Sequence, residues 1–375
     1  MKVCILAPVH GWDDTRVYQK EACTLVEAGY EVTLIAQAPR ASVERGVRIR
    51  PAPRAGSRLQ RFLKLPLVLA SALHLRADIY HLHNPDTLPL ALLLKLFGKR
   101  VIYDTHEDFA QRLLIRAWIP ASLRSIAAGF IAMGEALVAR IVDATVVTQE
   151  NVGKRLGRRA TLIGNPPVTR GPLIDTAHAR APRIERGAEL RLIYAGGIDQ
   201  ARGLDVMIES LARLESLGIS ARLWLVGSGD EAEIRDALQR PGGRHVDYLG
   251  KVEQAEAFAY MLRADIGLAT ILNVGDHAQT SANKLYEYVV FGLPVVASDF
   301  PKWRSTLEPS AAVAFVSPSD PDAIASAVKA IAVLPDRGKG QIEHVRQHLC
   351  SHYTWESESL KLLQLYDRLR DSLPA

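Results

Sequence analysis

One pattern restricts the fold more than any other. Short β-rich runs that are apolar throughout, rather than on every second residue, are each followed by a segment of helical period. In the first half the strand-like runs lie at 2–8, 31–36, 78–82, 100–104 and 144–148, with helical patterns over 15–28, 59–76, 86–97 and 120–141. A strand with no polar face must be covered on both sides, as happens in a parallel sheet between two layers of helix. The pattern predicts a doubly wound α/β fold, which binds ligands at the carboxyl ends of its strands.

The alternation pauses at 165–187, where Asn165-Pro166-Pro167, Gly171, Pro172, Pro182 and Gly187 supply breakers without periodicity. It then resumes with strand-like runs at 191–194, 221–226, 245–249, 265–269, 294–297 and 313–316 and helical stretches that include 203–216 and 230–239. At roughly 100–200 residues per domain, 375 residues hold two. The expected architecture is two tandem Rossmann-like, doubly wound domains facing across a cleft: 1–170, a linker over 171–188, and 189–352, with a last helix over 356–373 packing back on the first.

A hydrophobic fraction of 48% and a charged fraction of 23% exclude a disordered chain. Cys4, Cys23 and Cys350 are too few and too scattered for a disulfide framework, which points to a reducing compartment. The apolar run at 3–9 is too short for a signal peptide, and the most apolar stretches, 65–75 and 88–97, fall short of the roughly 18 residues that span a bilayer. A cytoplasmic protein able to touch the inner membrane surface is expected. The net charge of +5 is unevenly divided: residues 1–180 carry 25 Lys and Arg against 15 Asp and Glu, a balance of +10, and the rest carries 21 against 26, a balance of −5.

The second half holds the sharper chemistry. Gly196-Gly197 ends a strand-like run, and Arg202-Gly203 opens a helix. Glycines let backbone N–H groups approach a phosphate, the helix start supplies partial positive charge, and an arginine adds a forked donor; a plain tight turn fits the same residues. Gly227-Ser228-Gly229 repeats this after the next strand, where a simple turn explains it as well. In 281–297, Lys284 and Glu287 stand three apart and share a helix face. A lysine there can neutralise a diphosphate and a carboxylate one turn on can accept ribose hydroxyls. The alternative is a surface ion pair, disfavoured by the apolar Leu285, Tyr288, Val289 and Val290 around it. No Asp-X-Asp pair stands at a strand end, and Asp320-Pro321-Asp322 reads as a helix N-cap, so no metal ion and no cofactor are expected.

The run from Asn283-Lys284-Leu285-Tyr286-Glu287 to Val295-Val296-Ala297-Ser298 resembles the nucleotide-sugar motif of family-four retaining glycosyltransferases of the GT-B fold. Arg202-Gly203 resembles their diphosphate loop and Leu225-Val226-Gly227-Ser228-Gly229 their next strand end. Asp14-Thr15-Arg16 is similar to their opening βα unit, Tyr103-Asp104-Thr105-His106-Glu107-Asp108 to the segment bearing their active-site histidine, and Tyr353-Thr354-Trp355-Glu356 to the entry of their last helix. The likeness runs over essentially the whole chain and is most specific at 281–297. It implies a donor site of Gly196, Gly197, Arg202, Gly227, Gln279, Asn283, Lys284 and Glu287, with Glu287 on the ribose and Arg202 and Lys284 on the diphosphate. It also implies His106, Arg202 and Lys284 as catalytic groups, with His10, Asp14, Arg16, Glu107 and Asp108 on the acceptor side. Retention of anomeric configuration follows from the same resemblance, with the leaving phosphate taking the acceptor's proton and His106 orienting groups. A structural histidine is the competing reading of His106. Two positions depart from the family pattern: Gln279 stands where a sugar-contacting glutamate is common, and Gly197 where an arginine is.

Arg54, Arg58, Arg61 and Lys64, interleaved with Leu59, Phe62 and Leu63, form a basic amphipathic segment, and 112–119 has the same mixed character. Such segments suit an anionic membrane surface, although a solvated helix face has the same composition. Aromatic residues at 6% and the absence of a recognition motif argue against nucleic acid. The expected function is transfer of a sugar from a UDP- or GDP-sugar to a glycolipid, saccharide or surface-polysaccharide precursor such as a lipopolysaccharide intermediate. The alternatives are a GT-B-fold sugar-nucleotide epimerase and, because of Gln279 and Gly197, a non-catalytic nucleotide-sugar-binding subunit.

Overall fold

Among the described residues, eight of the fourteen strands form one sheet and six another. The computed structural model describes residues 1–114, 119–275, 277–280, 282–307 and 310–371, with Arg58 described by its backbone alone. The first sheet comprises β1 (Lys2–Gly11), β2 (Glu31–Gln37), β3 (Ser42–Glu44), β4 (Val47–Pro51), β5 (Ile79–His83), β6 (Arg100–Thr105), β7 (Ala144–Val147) and β8 (Ala160–Leu162). Its order is β3-β4-β2-β1-β5-β6-β7-β8, parallel except for the β3–β4 pair. The second comprises β9 (Leu190–Ala195), β10 (Ala221–Val226), β11 (Val246–Gly250), β12 (Ile266–Ala269), β13 (Val295–Ser298) and β14 (Val313–Val316), in the order β11-β10-β9-β12-β13-β14 and wholly parallel.

Both sheets are Rossmann-like, and strand order reverses at β1/β5 in the first and at β9/β12 in the second. Those switch points are where open α/β sheets leave a crevice for a ligand. The apolar strands are explained by double coverage. In β9 all six residues are buried, with Leu192 and Tyr194 in the core on one face and Ile193 and Ala195 in the core on the other.

The chain divides into Met1–Asn165 with the C-terminal helix Trp355–Asp371, and Pro166–Thr354. Within the first unit the C-terminal helix is tied down by Trp355 Nε1 donating to Thr24 Oγ1 (3.0 Å), Glu358 accepting from Gly164 N (2.7 Å) and Tyr366 Oη bonded to His81 Nδ1 (2.9 Å).

Three local expectations need correction, and three short strands add to those expected. The stretch 171–188 is no linker: it carries the helix Pro172–Arg180, whose Ile174 and Ala177 are buried in the second unit's core. Proline at the first helical turn starts it without losing a bond, which is why the breaker there misleads. The helix expected over 15–28 is a π-helix, Thr15–Ala22, running into the short α-helix Cys23–Glu27. The stretch 59–76 is two helices, Arg58–Leu63 and Leu65–His74, the second beginning with Pro66 in its first turn. The β3–β4 hairpin and β8 carry no apolar run long enough to announce them. Asp320, by contrast, caps the helix Pro321–Ala332, its side chain accepting from Asp322 N and Ala323 N.

Candidate active site

In the second unit the β9/β12 switch point is built from glycines. Gly196 (φ +136°) and Gly227 (φ +140°) follow β9 and β10, and a Cβ at Gly227 would lie 1.7 Å from the Gly196 carbonyl oxygen. Only glycine lets the two loops approach this closely. Gly203 (φ +81°) precedes the helix Leu204–Ser216, and a Cβ there would lie 2.2 Å from the Thr270 carbonyl oxygen after β12. Asp199 fixes the intervening turn by accepting from Arg202 N (2.8 Å).

Arg202 folds back over this turn. A Cβ at Gly197 would sit 1.8 Å from Arg202 Nη1, so the missing side chain at 197 makes the room that Arg202 occupies. Lys284 enters from the first turn of the helix Asn283–Val290, its Nζ 3.6 Å from the centroid of the Tyr194 ring and next to Gly196. Tyr194 in turn donates from Oη to the Gly197 carbonyl (2.7 Å). Burial, and then the neighbouring Arg202 cation, hold the Lys284 ammonium well below the ordinary lysine value, against the opposing pull of Glu287 and Asp199. Glu287 lies one turn further on the same helix, half-buried. Asn283 begins that helix and is half-buried, while Gln279 is exposed, its carbonyl accepting from Lys302 Nζ (2.7 Å). Tyr288, buried beneath, accepts from Ala195 N (3.0 Å) and so locks helix to strand end.

In the first unit, charged and histidine side chains collect at the carboxyl ends of β1, β5 and β6. Asp14 caps the π-helix through Arg16 N and Val17 N (both 2.9 Å). The wide π winding turns Arg16, Lys20 and Glu21 inward together. The Arg16 guanidinium meets Asp104 Oδ2 and Glu21 Oε1, each at 2.9 Å, and donates to the Gly164 carbonyl (3.0 Å). His83 Nε2 lies 3.2 Å from Glu21, and His81 Nε2 lies 3.7 Å from Asp104. Lys20 donates to Asn165 Oδ1 (2.7 Å). Burial would raise Asp104, but the Arg16 charge and the His106 and His81 side chains together outweigh it and hold the carboxyl far below its usual range. Burial pushes Glu21 up to about 7 and His83 down to about 3, so the cluster approaches one cation facing one anion.

His106 stands at the rim of this cluster, its ring mostly buried, with Nδ1 3.6 Å from Asp104 Oδ1 and ring centroids of His10 and His83 at 5.4 and 6.2 Å. Its carbonyl accepts from Thr148 Oγ1 (2.7 Å), which fixes the loop after β6. His10 Nδ1 bonds Asp14 (3.0 Å), and His10 Nε2 meets Asn84 Nδ2 (2.6 Å). Burial disfavours the His10 cation, but the Asp14 bond and charge more than restore it, and the same pair holds Asp14 below its usual range.

The first unit therefore brings His10, Asp14 and His106 together and sets the other expected acceptor-side groups apart. Arg16 is a correction: it is buried, its guanidinium bonded to carboxylates and carbonyls of its own unit. Glu107 pairs with Arg112, and Asp108 accepts from Gln111 N and Asn151 Nδ2 (3.2 Å), so neither carboxylate belongs to the His106 cluster. Glu21, His81, His83, Asn84 and Tyr194 belong to these sites without a motif in the sequence to mark them. The two histidines have a readable signal, since side chains at i and i+2 of a strand share a face and a buried polar pair needs partners.

Glu21, His81 and His83, and likewise His83, Asp104 and His106, offer ligand atoms that all lie within 4.8 Å of one another, of types a metal ion accepts. Arg16 already lies against Glu21 and Asp104, so a metal cation there would compete with a buried guanidinium. A cavity of about 150 Å³ opens between the ends of β1 and β2 and the helix Arg58–Leu63, lined by Val9, Gln37, Phe62, Lys64, Val68 and Asp86. Of the basic segment, Arg54 and Arg61 are exposed, as are Leu59, Phe62 and Leu63. The Arg58 side chain and residues 115–118 lie outside the described residues.

Residues 15–170 match the family model described as "Glycosyl transferase 4-like domain" and residues 189–332 that described as "Glycosyl transferases group 1". The chain is 26% identical over 304 residues to a phosphatidyl-myo-inositol mannosyltransferase of Mycobacterium leprae (strain TN), which covers 79% of this chain and 74% of that protein. It is 27% identical over 177 residues, 47% of this chain and 43% of the relative, to a GDP-mannose-dependent alpha-(1-6)-phosphatidylinositol dimannoside mannosyltransferase of Mycobacterium tuberculosis (strain ATCC 25177 / H37Ra). Among solved structures, a sucrose-phosphate synthase from Thermosynechococcus elongatus superimposes with a TM-score of 0.77 over 99% of this chain and 100% of that one, at 19% identity.

Proposed function

Because the chain belongs to the family-four glycosyltransferases of the GT-B fold, we propose that it transfers a sugar from a nucleoside-diphosphate sugar to a lipid-linked acceptor at the inner face of the cell membrane, with retention of configuration and without a metal ion. The observation that carries the donor is the pair of cations over the Gly196-Gly197 turn: Lys284 on the Tyr194 ring and Arg202 over Gly197, at a switch point and a helix start. A diphosphate is the anion this arrangement suits, since backbone N–H groups, an arginine fork and a lysine converge where glycines leave space.

In this reading the leaving diphosphate gains charge as the sugar departs, and Arg202 and Lys284 stabilise it without reorganising. Lys284, held below its ordinary pKa by burial and Arg202, gains affinity for its proton when phosphate arrives. Glu287 accepts the ribose hydroxyls. In the first unit His106 orients sugar and acceptor, held by Thr148 at its backbone and facing Asp104 and His10. The departing phosphate oxygen takes the acceptor's proton. The lipid acceptor is supported by the two mannosyltransferase relatives, whose names specify phosphatidylinositol lipids, and by the basic and apolar residues around the cavity at the ends of β1 and β2.

Thermal unfolding with GDP, UDP, ADP and TDP tests the donor site, because a ligand that binds the native state raises its stability. One of these nucleotides is expected to shift the transition and Glu287→Ala to remove the shift; no shift with any of the four overturns the reading. Incubation of GDP-mannose or UDP-glucose with phosphatidylinositol-containing vesicles then tests transfer. The same incubation without acceptor distinguishes transfer from epimerisation of the donor.

A further inference from the structure

The helix Ala121–Ile141 carries an apolar face that the fold does not use. Leu123, Ile126, Phe130, Met133, Leu137 and Ile141 are 40–65% exposed, at the three- and four-residue spacing that puts them in one stripe along the helix. The rotation of the helix is set from its other side. Ala128, Val138 and Ala139 are buried there, and the buried Glu135 accepts from Tyr103 Oη (3.0 Å), Thr105 Oγ1 (2.8 Å) and Arg155 Nη2 (3.0 Å). The stripe is therefore held outward by a packed face and three bonds. The neighbouring helix Leu88–Leu96 also leaves Leu93 and Leu96 exposed, as is Phe97 at its end (38%, 82% and 58%).

By length and apolarity the helix could cross a membrane, and among the described residues no other helix meets that measure. Its packing says otherwise, since one side belongs to the first unit's core through Val138. A helix buried along one side and apolar along the other lies flat at an interface. We infer that the Ala121–Ile141 stripe is a membrane-embedding face, which seats the first unit in the headgroup and upper acyl region of an anionic bilayer.

Charge points to a bilayer. Besides the buried Glu135 the helix carries Arg124, four residues before the buried Ala128 on the packed side and donating to the Ile119 carbonyl (3.0 Å), and the exposed Arg140, three residues after Leu137 and so beside the stripe. The exposed Arg159 donates to the Arg140 carbonyl (3.0 Å), with Lys154 and Arg158 exposed close by in the chain, so cations gather at the C-terminal end of the stripe. A parallel pairing of two copies would set Arg140 beside itself, whereas anionic headgroups match these cations. The surface is separate from the basic segment at 54–64 and needs no assumption about the donor; it deepens the lipid-acceptor reading by giving the enzyme a fixed seat on the acceptor's membrane.

The full-length protein is sedimented with vesicles of phosphatidylcholine, with and without phosphatidylglycerol. Phe130→Ser/Met133→Ser is expected to lower partition onto the phosphatidylglycerol vesicles about tenfold or more, and Arg140→Ser/Arg158→Ser to abolish the preference for them over neutral vesicles. Thermal midpoint and nucleotide-induced shift stay unchanged in both variants, which shows that they fold; Ile126→Ser/Leu137→Ser is a second pair on the same stripe. Unchanged partition in both apolar pairs overturns the inference, as does a lipid-free dimer that Phe130→Ser/Met133→Ser dissociates. Vesicle binding that depends on the stripe, found together with no transfer to any lipid, leaves the inference standing and removes the lipid-acceptor reading instead.

Discussion

The two units collect charge at equivalent places, the switch points of their sheets, and treat it in opposite ways. In the first, Arg16 is enclosed by Asp104, Glu21 and backbone carbonyls, and these partners reinforce its charge against the cost of burial. In the second, Lys284 rests on an aromatic face with another cation nearby, and its charge is weakened. A cation that holds a fold together is matched within the fold. A cation kept for a ligand is left short of full neutralisation, because the ligand is to supply the rest.

This contrast can be broken by mutation, and the largest effect belongs to the first unit. Arg16→Leu strands Asp104 and Glu21 in a dry site and should cost about 3–5 kcal/mol in urea unfolding of the first unit. Nucleotide affinity of the second unit should survive in whatever fraction stays folded. Arg202→Ala should do the reverse, lowering turnover about a hundredfold with a change in stability under about 1 kcal/mol, measured by initial rates and thermal unfolding. Equal losses of stability in the two variants would erase the distinction.

A finer test uses pH. Diphosphate favours the ammonium form of Lys284, whereas burial and Arg202 hold its pKa below the ordinary 10.5. Binding should therefore take up protons, and affinity should fall as pH rises through the depressed pKa, by at most about tenfold per pH unit. Calorimetry in two buffers of different ionisation enthalpy reads the uptake, and Lys284→Arg, which stays charged, should flatten it. The smallest effect is expected of Tyr194→Phe, which keeps the ring under Lys284 and loses only the bond to the Gly197 carbonyl. Affinity should weaken about threefold, as one neutral hydrogen bond allows.

Much of the second unit's site was legible because its parts are local. Gly196-Gly197, Arg202-Gly203 and Lys284–Glu287 are each a turn or a helix face whose geometry follows from a few adjacent residues. The role of Gly197 was not legible, since its missing side chain reads as a lost cation until Arg202 is seen lying over it. The first unit's cluster was harder. Arg16 and Glu21 face Asp104 and His83 only because the helix between Thr15 and Ala22 winds wide, and the sequence there is equally compatible with an ordinary helix. The stripe on Ala121–Ile141 escaped for another reason: Arg124, Glu135 and Arg140 interrupt the apolar run, and periodicity alone does not say which face of an apolar helix is covered.

The amino-acid sequence by itself determined the layered α/β architecture, its repetition and the residues of the phosphate-side turns. All of these rest on the period of apolar residues and the backbone freedom of glycine, which act within a few positions of the chain. Tertiary structure alone decided which charges are matched and which are held for a ligand. It also decided which side of the Ala121–Ile141 helix meets solvent. Both depend on groups brought together from distant segments, such as Arg16 and Asp104 or Glu135 and Tyr103, and burial acts on a charge or an apolar face only after those groups have met.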